Sequence, residues 1–500
     1  MNKKTIWGFL FVLLSFACYF LGTHNKSEQT ESDYLVIASE SVMQDAEWVE
    51  VADAIASKHN AEIVTFATAP REALDKIREV YPRYVAIVDK PENIGRDYVI
   101  DLHKMCREVD DDIYGDFLWG IITGYDADAA MRMVNNSTEP LLIKDAVATI
   151  MELNSAKWFD NYAWVDDHTR GLWGYKNGRD GEIVTAMVEK EEVLGKFCEL
   201  YEAYDPDLIV TAAHATQKNL EMPYSLGHLK PRNGKLYAHN IFTDEEFDIN
   251  ESGKRRVYTA VGNCLIGDMN NTRESMAAAW LNGSNVSTMI GYVVTTWHGR
   301  SGWGALKYWV TSPDRYTLAE AVYMNQQDFL HQHSVWTPEL LHTDYNYCEG
   351  WREELLCASE RLSQAQNREV DLDDPTDWDM VGFWHDRDVL VYYGDPKWDV
   401  RLQSVECERD YTITTKLKGN KYIITVTTDE NFSLERMRGD KFKQEHVLDL
   451  PFNLFFPERL NNPRLAEGEE WDAVVDENFI LIYNAEFEPN STYTITLDIN

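Results

Sequence analysis

The chain has 500 residues, a formal net charge of −37 and an apolar content of 44%. That apolar fraction is enough for a buried core, which excludes a disordered chain. The negative charge excludes nucleic acid as a partner, because a protein that binds phosphates needs a basic face. The length predicts about three domains.

The N-terminus predicts an exported protein. Two lysines precede an apolar run over residues 6–21, as in a secretory signal peptide. That run is slightly short for a membrane span of about 20 residues, and the segment ending at Cys18 is similar to a bacterial lipoprotein cleavage site. For residues 1–22 a cleaved signal peptide, a lipid anchor and an uncleaved membrane anchor all stay open. Residues 23–32 are predicted to be a polar linker, and we expect an extracellular, periplasmic or surface-anchored protein.

Strand and helix patterns alternate from Asp33 onward, which indicates a parallel sheet covered on both faces. The first predicted strands are DYLVIASES, EIVTFAT and YVAIVDK. A second α/β unit begins near residue 141, with predicted strands YAWVDD, DLIVTAAHA, RVYTAVGN, STMIGYVVTT and VLVYYGD. We predict helices over residues 182–204 and 274–281, further helices between 317 and 367, and a solvated loop over 368–379.

The pattern changes near the C-terminus to alternating strands. YTITTKLKGNKYIITVTT predicts a β-hairpin around Gly419-Asn420, and TYTITLDIN closes the chain in the same style. The full prediction is an α/β protein with two parallel-sheet subdomains, over residues 33–138 and 139–400, followed by an immunoglobulin-like β-sandwich over 401–500.

A histidine and a cysteine stand at the ends of two neighbouring predicted strands. His214 lies in DLIVTAAHA, and Cys264 follows RVYTAVGN 50 positions later. A thiol can attack a carbonyl carbon while an imidazole manages the protons, and one class of cysteine peptidase places its histidine about 50 residues before its cysteine. The competing interpretation is a buried, inert cysteine beside a structural histidine. The pair alone leaves both interpretations open.

Several motifs occur in an order shared with a known family. They are DYLVIASES, YVAIVDKPENIG, DDDIYGDFLWGIITGYDADAAMRMV, NCLIGD with a following Ser-Met-Ala helix, TTWHG and YYGDPKWDV. On these motifs the chain resembles the gingipain-type cysteine peptidases, within the caspase-like group, over about residues 33–400. The resemblance implies that the two α/β subdomains are caspase-like and that the second is catalytic.

The resemblance also implies roles for particular residues. Cys264 is the expected nucleophile and His214 its acid–base partner, with the backbone N–H groups of Cys264 and Ala215 as oxyanion donors. The family has glycine where this chain has Ala215, and an alanine-like residue where it has Asn263. A further acidic residue and a tryptophan of the family form a pocket for a substrate Arg or Lys, and by position these are Asp111 and Trp297.

Other polar residues have structural explanations that compete with a function. Four further histidines can be explained as ordinary surface or core residues, and none has convincing metal-ligand spacing: His228, His298, His331 and His333. No cofactor is required for the expected catalysis and no metal site is predicted. Structural Ca²⁺ at Asp166–Asp167 or Asp371–Asp374 stays open beside the alternative of solvated loops.

Three functions follow as hypotheses. The first is an exported cysteine endopeptidase that cleaves a protein or peptide substrate after Arg or Lys. The second is a non-catalytic surface protein that binds a partner on the same scaffold. The third is a carbohydrate-active exported protein, for which the sequence singles out no pair of carboxylates. The sequence assigns neither an oligomeric state nor a third catalytic residue.

Overall fold

The computed structural model describes residues 33–150, 159–223, 227–249, 252–348, 350–403, 410–439 and 449–500, all within the unit Asp33–Asn500. The predicted signal or anchor over residues 1–22 and the linker over 23–32 lie outside the described residues. In the described ranges, no helix is both long enough and apolar enough to cross a membrane.

The strands and helices follow one another in chain order. The strands are β1 (Tyr34–Ser39), β2 (Glu62–Phe66), β3 (Tyr84–Val88), β4 (Leu118–Ile122), β5 (Leu141–Ile143), β6 (Asp145–Ala148), β7 (Asn161–Val165), β8 (Leu172–Lys176), β9 (Val184–Met187), β10 (Leu208–Thr211), β11 (Ala215–Thr216), β12 (Asn219–Glu221), β13 (His228–Arg232), β14 (Lys235–His239), β15 (Glu246–Asp248), β16 (Arg256–Ala260), β17 (Val286–Tyr292), β18 (Leu390–Tyr393), β19 (Val400–Leu402), β20 (Tyr411–Lys418), β21 (Lys421–Thr428), β22 (Phe452–Phe455), β23 (Arg464–Leu465), β24 (Ala473–Val475), β25 (Phe479–Ile482) and β26 (Thr492–Asp498). The helices are α1 (Glu40–Met43), α2 (Ala46–His59), α3 (Leu74–Val80), α4 (Arg96–Cys106), α5 (Ala127–Asn136), α6 (Val193–Tyr204), α7 (Met276–Asn282), α8 (Arg300–Thr311), α9 (Leu318–Trp336), α10 (Trp351–Gln366), α11 (Pro375–Asp386) and α12 (Leu434–Met437), with short 3-10 turns at Pro70–Ala73, Pro91–Asn93, Lys190–Glu192 and Pro338–Leu340.

A mostly parallel sheet, here the main sheet, forms the centre of the α/β part. Among the described residues it has twelve strands in the order β2-β1-β3-β4-β18-β17-β16-β10-β6-β7-β8-β9. The strands β1 to β4 and β18 run in one direction, and β17, β16, β10, β6 and β7 run in the other, because β17 and β18 pair antiparallel. The C-terminal ends of β10, β16 and β17 therefore share one edge of the sheet with the N-terminal ends of β18 and β4. We call this edge the site edge.

The central strands are buried throughout because both faces of the main sheet are covered. Every residue of β1, β3, β16 and β17 is buried, which is the expected pattern for a parallel sheet between two layers. The prediction of a mixed α/β protein with a large, mostly parallel sheet is confirmed. Both predicted subdomains contribute strands to this one sheet, and the predicted domain bounds stay predictions.

Two local predictions are wrong. The predicted helix over residues 182–204 begins only at Val193, because Val184–Met187 forms the edge strand β9 against β8. The predicted loop over residues 368–379 contains the start of α11, where the Asp374 carboxylate accepts from the N–H of Thr376 and Pro375 occupies the first turn. An aspartate cap followed by proline is a typical helix start.

The chain between His214 and β16 forms a separate antiparallel sheet, which we call the insertion sheet. Among the described residues it consists of β11 to β15 in chain order, each strand pairing with the next. Its β13–β14 hairpin turns at Asn233 and Gly234, both with positive φ, which is the backbone that an Asn-Gly hairpin turn needs. The sequence analysis did not predict this sheet.

The C-terminal part contains two further antiparallel sheets. In the described part of this region one has the order β20-β21-β26-β23 and the other β22-β25-β24, and the predicted hairpin at Gly419-Asn420 joins β20 to β21. Alternate residues of β25 face different cores: Phe479 and Leu481 pack with the α/β part, whereas Ile480 and Ile482 pack between the two terminal sheets. An immunoglobulin-like topology stays a prediction.

Candidate active site

The two candidate catalytic residues follow neighbouring strands of the main sheet. Strands β10 and β16 pair in parallel, with Thr211 opposite Ala260, and the N–H of Val261 donates to the carbonyl of Thr211 at 3.0 Å. Both strands therefore end together at the site edge, and His214 and Cys264 lie on the loops that leave it.

Asn263 connects these two loops. Its Oδ1 accepts from the Thr211 hydroxyl at 2.6 Å, and its Nδ2 donates to the carbonyl of Ala213 at 2.7 Å. The residue is fully buried, so water does not compete for its bond with Thr211, and the bond to Ala213 is partly shielded. Since Ala213 immediately precedes His214 and Asn263 immediately precedes Cys264, this amide fixes the two candidate residues at the same end of the paired strands.

A second connection lies a few residues further along. Gln217 donates from Nε2 to the carboxylate of Asp268 at 3.0 Å, and its carbonyl accepts from the N–H of Met276 at 2.7 Å. The segments 213–217 and 263–268 therefore run side by side between two hydrogen-bonded connections. The His214 side chain is exposed, and no described residue hydrogen-bonds to its imidazole.

Cys264 is a free, partly buried cysteine. Its thiol donates to the carbonyl of Thr296 at 3.3 Å. Burial raises the pKa of the Cys264 thiol above its ordinary value, so the resting thiol is protonated at neutral pH. A base must therefore remove the thiol proton before Sγ can attack, since the thiolate is the nucleophile.

The backbone N–H of Ala215 faces away from the neighbouring strand β12. The N–H of Glu221 donates to the carbonyl of His214 at 2.8 Å, so those two residues form a hydrogen-bonded pair of the hairpin. Because backbone directions alternate along a strand, the N–H of Ala215 points away from β12. Its Cβ shares a buried face with Leu220, its cross-strand partner. The alanine side chain therefore packs into the core rather than across the face that carries His214.

A cleft of about 840 Å³ lies beside the loop of the candidate nucleophile, and neither Cys264 nor His214 is among its lining residues. On one side it is lined by Leu265 and Thr295, the chain neighbours of Cys264 and of Thr296. Asp268 also lines it, and burial raises the pKa of this carboxyl group. The sequence analysis included Asp268 in the NCLIGD motif but gave it no role.

Asp111 lies in the loop between α4 and β4, the strand whose N-terminal end is at the site edge. Its side chain is exposed, and no described residue forms a hydrogen bond or ion pair with it. The same loop is held against the C-terminal part, because the carbonyl of Asp116 accepts from Arg459 at 2.7 Å and from Asn478 at 3.2 Å. Asp111 is thus accessible on an anchored loop.

Trp297 directly follows the Thr296 carbonyl that accepts from the thiol. Its ring is half-buried and packs against Trp378, at 4.6 Å between ring centroids, and against His385 at 5.0 Å. The indole therefore joins the site edge to helix α11. The structure puts Trp297 near Cys264 through Thr296, and it gives no contact between Trp297 and Asp111.

The remaining candidate histidines have structural partners. His298 is buried beside Asp379 at 3.2 Å, His331 hydrogen-bonds with Tyr114 at 3.2 Å, and His333 with Thr337 at 2.6 Å. In the described ranges, no group of three or more His, Cys, Asp or Glu side chains is placed to hold a metal ion.

Asn263 is the main site residue that sequence reasoning passed over as a departure from the family pattern. A fully polar side chain directly after a buried strand is a sign of a buried hydrogen-bonding role, and that signal was present in TAVGNC.

Comparison with known proteins gives few matches. The chain matches no protein-family model and no curated protein. Among solved structures it is similar to the Arg-specific cysteine proteinase gingipain R, at 9% identity and a TM-score of 0.39 over 95% of this chain and 100% of that one. It is also similar to the complex of RgpB pro- and mature domains from Porphyromonas gingivalis, at 10% identity and a TM-score of 0.39 over 93% and 100%, and to a structure described as a protease, at 11% identity and a TM-score of 0.36 over 80% and 85%. Likenesses with TM-scores this low carry no argument about activity.

Proposed function

We propose that this protein is an exported cysteine endopeptidase in which Cys264 and His214 form the catalytic dyad. The observation that supports this most is the buried amide of Asn263, which hydrogen-bonds the loop of one residue to the loop of the other. A structural cysteine beside a surface histidine would not require such a connection. The ordered sequence motifs around NCLIGD support the same function independently.

The proposed reaction begins with transfer of the Cys264 thiol proton to His214. Sγ then attacks the substrate carbonyl carbon, and the N–H groups of Cys264 and Ala215 donate to the oxyanion. The C–N bond breaks as His214 gives its proton to the leaving amine, which leaves a thioester on Cys264. A water that loses its proton to His214 hydrolyses the thioester and restores the thiol.

We further propose a preference for Arg or Lys before the scissile bond. A substrate cation would pair with the accessible carboxylate of Asp111, while Trp297 would cover the aliphatic part of its side chain. The net charge of −37 favours the approach of cationic peptides. Asp111→Asn should raise KM for Arg and Lys peptides at least tenfold, with Asp110→Asn in the same exposed loop as the matched control. Equal effects of the two variants would contradict a specific role for Asp111.

Cys264→Ala tests the dyad directly. We expect it to abolish hydrolysis of fluorogenic Arg and Lys peptides and of a casein substrate, with the fold retained in circular dichroism. Cys357→Ala is the control, since Cys357 is also free and lies exposed on α10. Cleavage by Cys264→Ala at the rate of the unmodified protein would show that the dyad assignment is wrong.

A non-catalytic binding protein is the second candidate. The observation that favours it is the burial that raises the pKa of the Cys264 thiol. A thiol that stays protonated is a poor nucleophile, which fits a protein that binds without cleaving. It predicts no turnover, and slower iodoacetamide labelling of Cys264 than of Cys357 in the folded protein at pH 7. Faster labelling of Cys264 would favour the peptidase.

A further inference from the structure

The insertion sheet has one apolar and one polar face. The apolar face carries four cross-strand neighbours, each buried: Ala215, Leu220, Leu229 and Ala238. The side chains between them on each strand must point to the opposite face, because side chains alternate along a strand. His214 is one of these, since it directly precedes Ala215.

The polar face carries a row of titratable side chains that begins with His214. Backbone pairing sets His214 opposite Glu221, Glu221 opposite His228, His228 opposite His239, and His239 opposite Glu246. Residues that stand opposite one another in antiparallel strands have Cβ atoms about 4.5–5.5 Å apart on the same face. The row therefore places Glu221 at the strand position opposite His214, and the structure gives no contact between the carboxylate and the imidazole.

Side-chain contacts confirm that the row shares one face. His228 Nε2 lies 3.8 Å from the Glu221 carboxylate, and the rings of His228 and His239 are 6.4 Å apart. His239 contacts Lys230 at 3.3 Å and Asp244 at 3.0 Å. Glu221 thus has a histidine on each side along the row, and His214 is the one at the site edge.

The two histidines beside Glu221 differ in burial. The Nδ1 of His228 is buried, without a hydrogen-bond partner among the described residues, and burial lowers the pKa of His228. His228 is therefore neutral at pH 7. The His214 side chain is exposed, and no described residue hydrogen-bonds its ring. The ring can therefore turn toward Glu221.

We propose that Glu221 is the residue that positions His214, by accepting a hydrogen bond from one ring nitrogen so that the other faces Cys264. This inference rests on the proposed peptidase function. An acyl-transfer histidine needs such a partner, because the partner selects the tautomer that can take the thiol proton and stabilises the imidazolium that forms. In the resting structure one backbone hydrogen bond joins the two residues, from the N–H of Glu221 to the carbonyl of His214, and the side-chain bond forms when substrate binds.

The test compares Glu221→Gln with Glu246→Gln, the carboxylate at the far end of the same row. Glu221→Gln keeps the size of the side chain but removes its charge, so we expect kcat to fall about a hundredfold, the lower range of acid–base catalysis, with KM unchanged. The pH profile of kcat/KM should change as well, because the charge opposite the catalytic imidazole is gone. Glu246→Gln should change none of these quantities.

A shorter carboxylate separates positioning from packing. Glu221→Asp should retain about a tenth of the kcat of the unmodified protein, with the same pH profile of kcat/KM. This variant replaces Glu221→Gln in the test if Glu221→Gln does not fold. Full kcat and an unmoved pH profile in Glu221→Gln, while Cys264→Ala is inactive, would overturn the role of Glu221 and leave the dyad standing. Activity that survives Cys264→Ala would overturn both.

Discussion

Removing the Asn263 side chain should damage the candidate site more than it damages the fold. The buried amide makes two hydrogen bonds, with the Thr211 hydroxyl and the Ala213 carbonyl. In Asn263→Ala the Thr211 hydroxyl keeps a second partner, Tyr258, at 2.8 Å, but the connection to the Ala213 carbonyl is lost. A buried polar group left without its partner costs about 1–3 kcal/mol, so we expect the free energy of unfolding to fall by about 2 kcal/mol.

The expected loss of activity is larger than this. Ala213 precedes His214, and without the amide the loop of His214 is free to move relative to Cys264. A displacement of about 1 Å at a catalytic group costs on the order of 100-fold in rate. We therefore expect kcat/KM on an Arg peptide to fall about a hundredfold, with the change mainly in kcat. Urea unfolding gives the loss of stability for the same preparation.

Asn453→Ala is a matched control for the loss of stability. This asparagine is also buried, accepts from the Tyr316 hydroxyl at 2.7 Å and donates to the carbonyl of Pro451 at 2.7 Å. Its contacts hold α9 against the C-terminal part, away from Cys264. It should lose similar stability and keep its kcat.

Asn263→Asp identifies which of the two hydrogen bonds carries the effect. The aspartate still accepts from Thr211 but sets a carboxylate oxygen against the Ala213 carbonyl. It should therefore lose activity like Asn263→Ala. If Asn263→Ala and Asn453→Ala lose equal stability and both keep the activity of the unmodified protein, the amide does not hold the site together.

Two further variants concern buried charge. Burial, and then the carboxylates of Asp110 and Asp476, raise the pKa of Asp116 to about 8, so the stability it contributes is present below its ordinary pKa near 4 and is lost as pH rises toward 8. Asp116→Asn should leave the urea midpoint at pH 4 unchanged and raise the free energy of unfolding at pH 8 by about 2–5 kcal/mol, since one pKa unit is about 1.36 kcal/mol; equal midpoints at pH 8 would contradict this. Asp386 hydrogen-bonds His385 at 3.0 Å in a fully buried site, and Glu354 lies 3.4 Å from the other ring nitrogen. Asp386→Asn should cost about 3 kcal/mol, the lower end of the cost of breaking a buried ion pair, because Glu354 still pairs with the imidazolium; an unchanged midpoint at pH 6 would show that His385 is neutral there.

The position of the candidate dyad could be predicted from sequence because it depends on strand ends. DLIVTAAHA and RVYTAVGN both read as buried strands, and the carboxyl ends of neighbouring parallel strands meet at one edge of a sheet. The sequence pattern could not show that these two strands pair with each other in the sheet. This pairing depends on Thr211 lying opposite Ala260 and on the amide of Asn263, and both are tertiary contacts.

The insertion sheet was missed for a different reason. Its strands are short and half exposed, so their alternation is weak, although Asn233-Gly234 is a strong hairpin signal that sequence reasoning should have used. Strand β9 could not have been recognised from periodicity, because Val184–Met187 is exposed along its whole length. Glu221 followed from neither pattern, because its place beside His214 exists only once the hairpin register is known.

The alanine at position 215 is less of an obstacle than its replacement of glycine suggests. A glycine is needed where φ is positive or where a Cβ would collide, but Ala215 is in strand β11 without positive φ, and its Cβ packs with Leu220 in the buried face. The residue whose side chain still needs a partner in the proposed site is His214. Side-chain hydrogen bonds hold the loops on both sides of the proposed dyad, whereas His214 is held through its backbone alone. In the proposed mechanism, the carboxylate of Glu221 therefore decides whether an exposed imidazole becomes the base that a buried, protonated thiol requires.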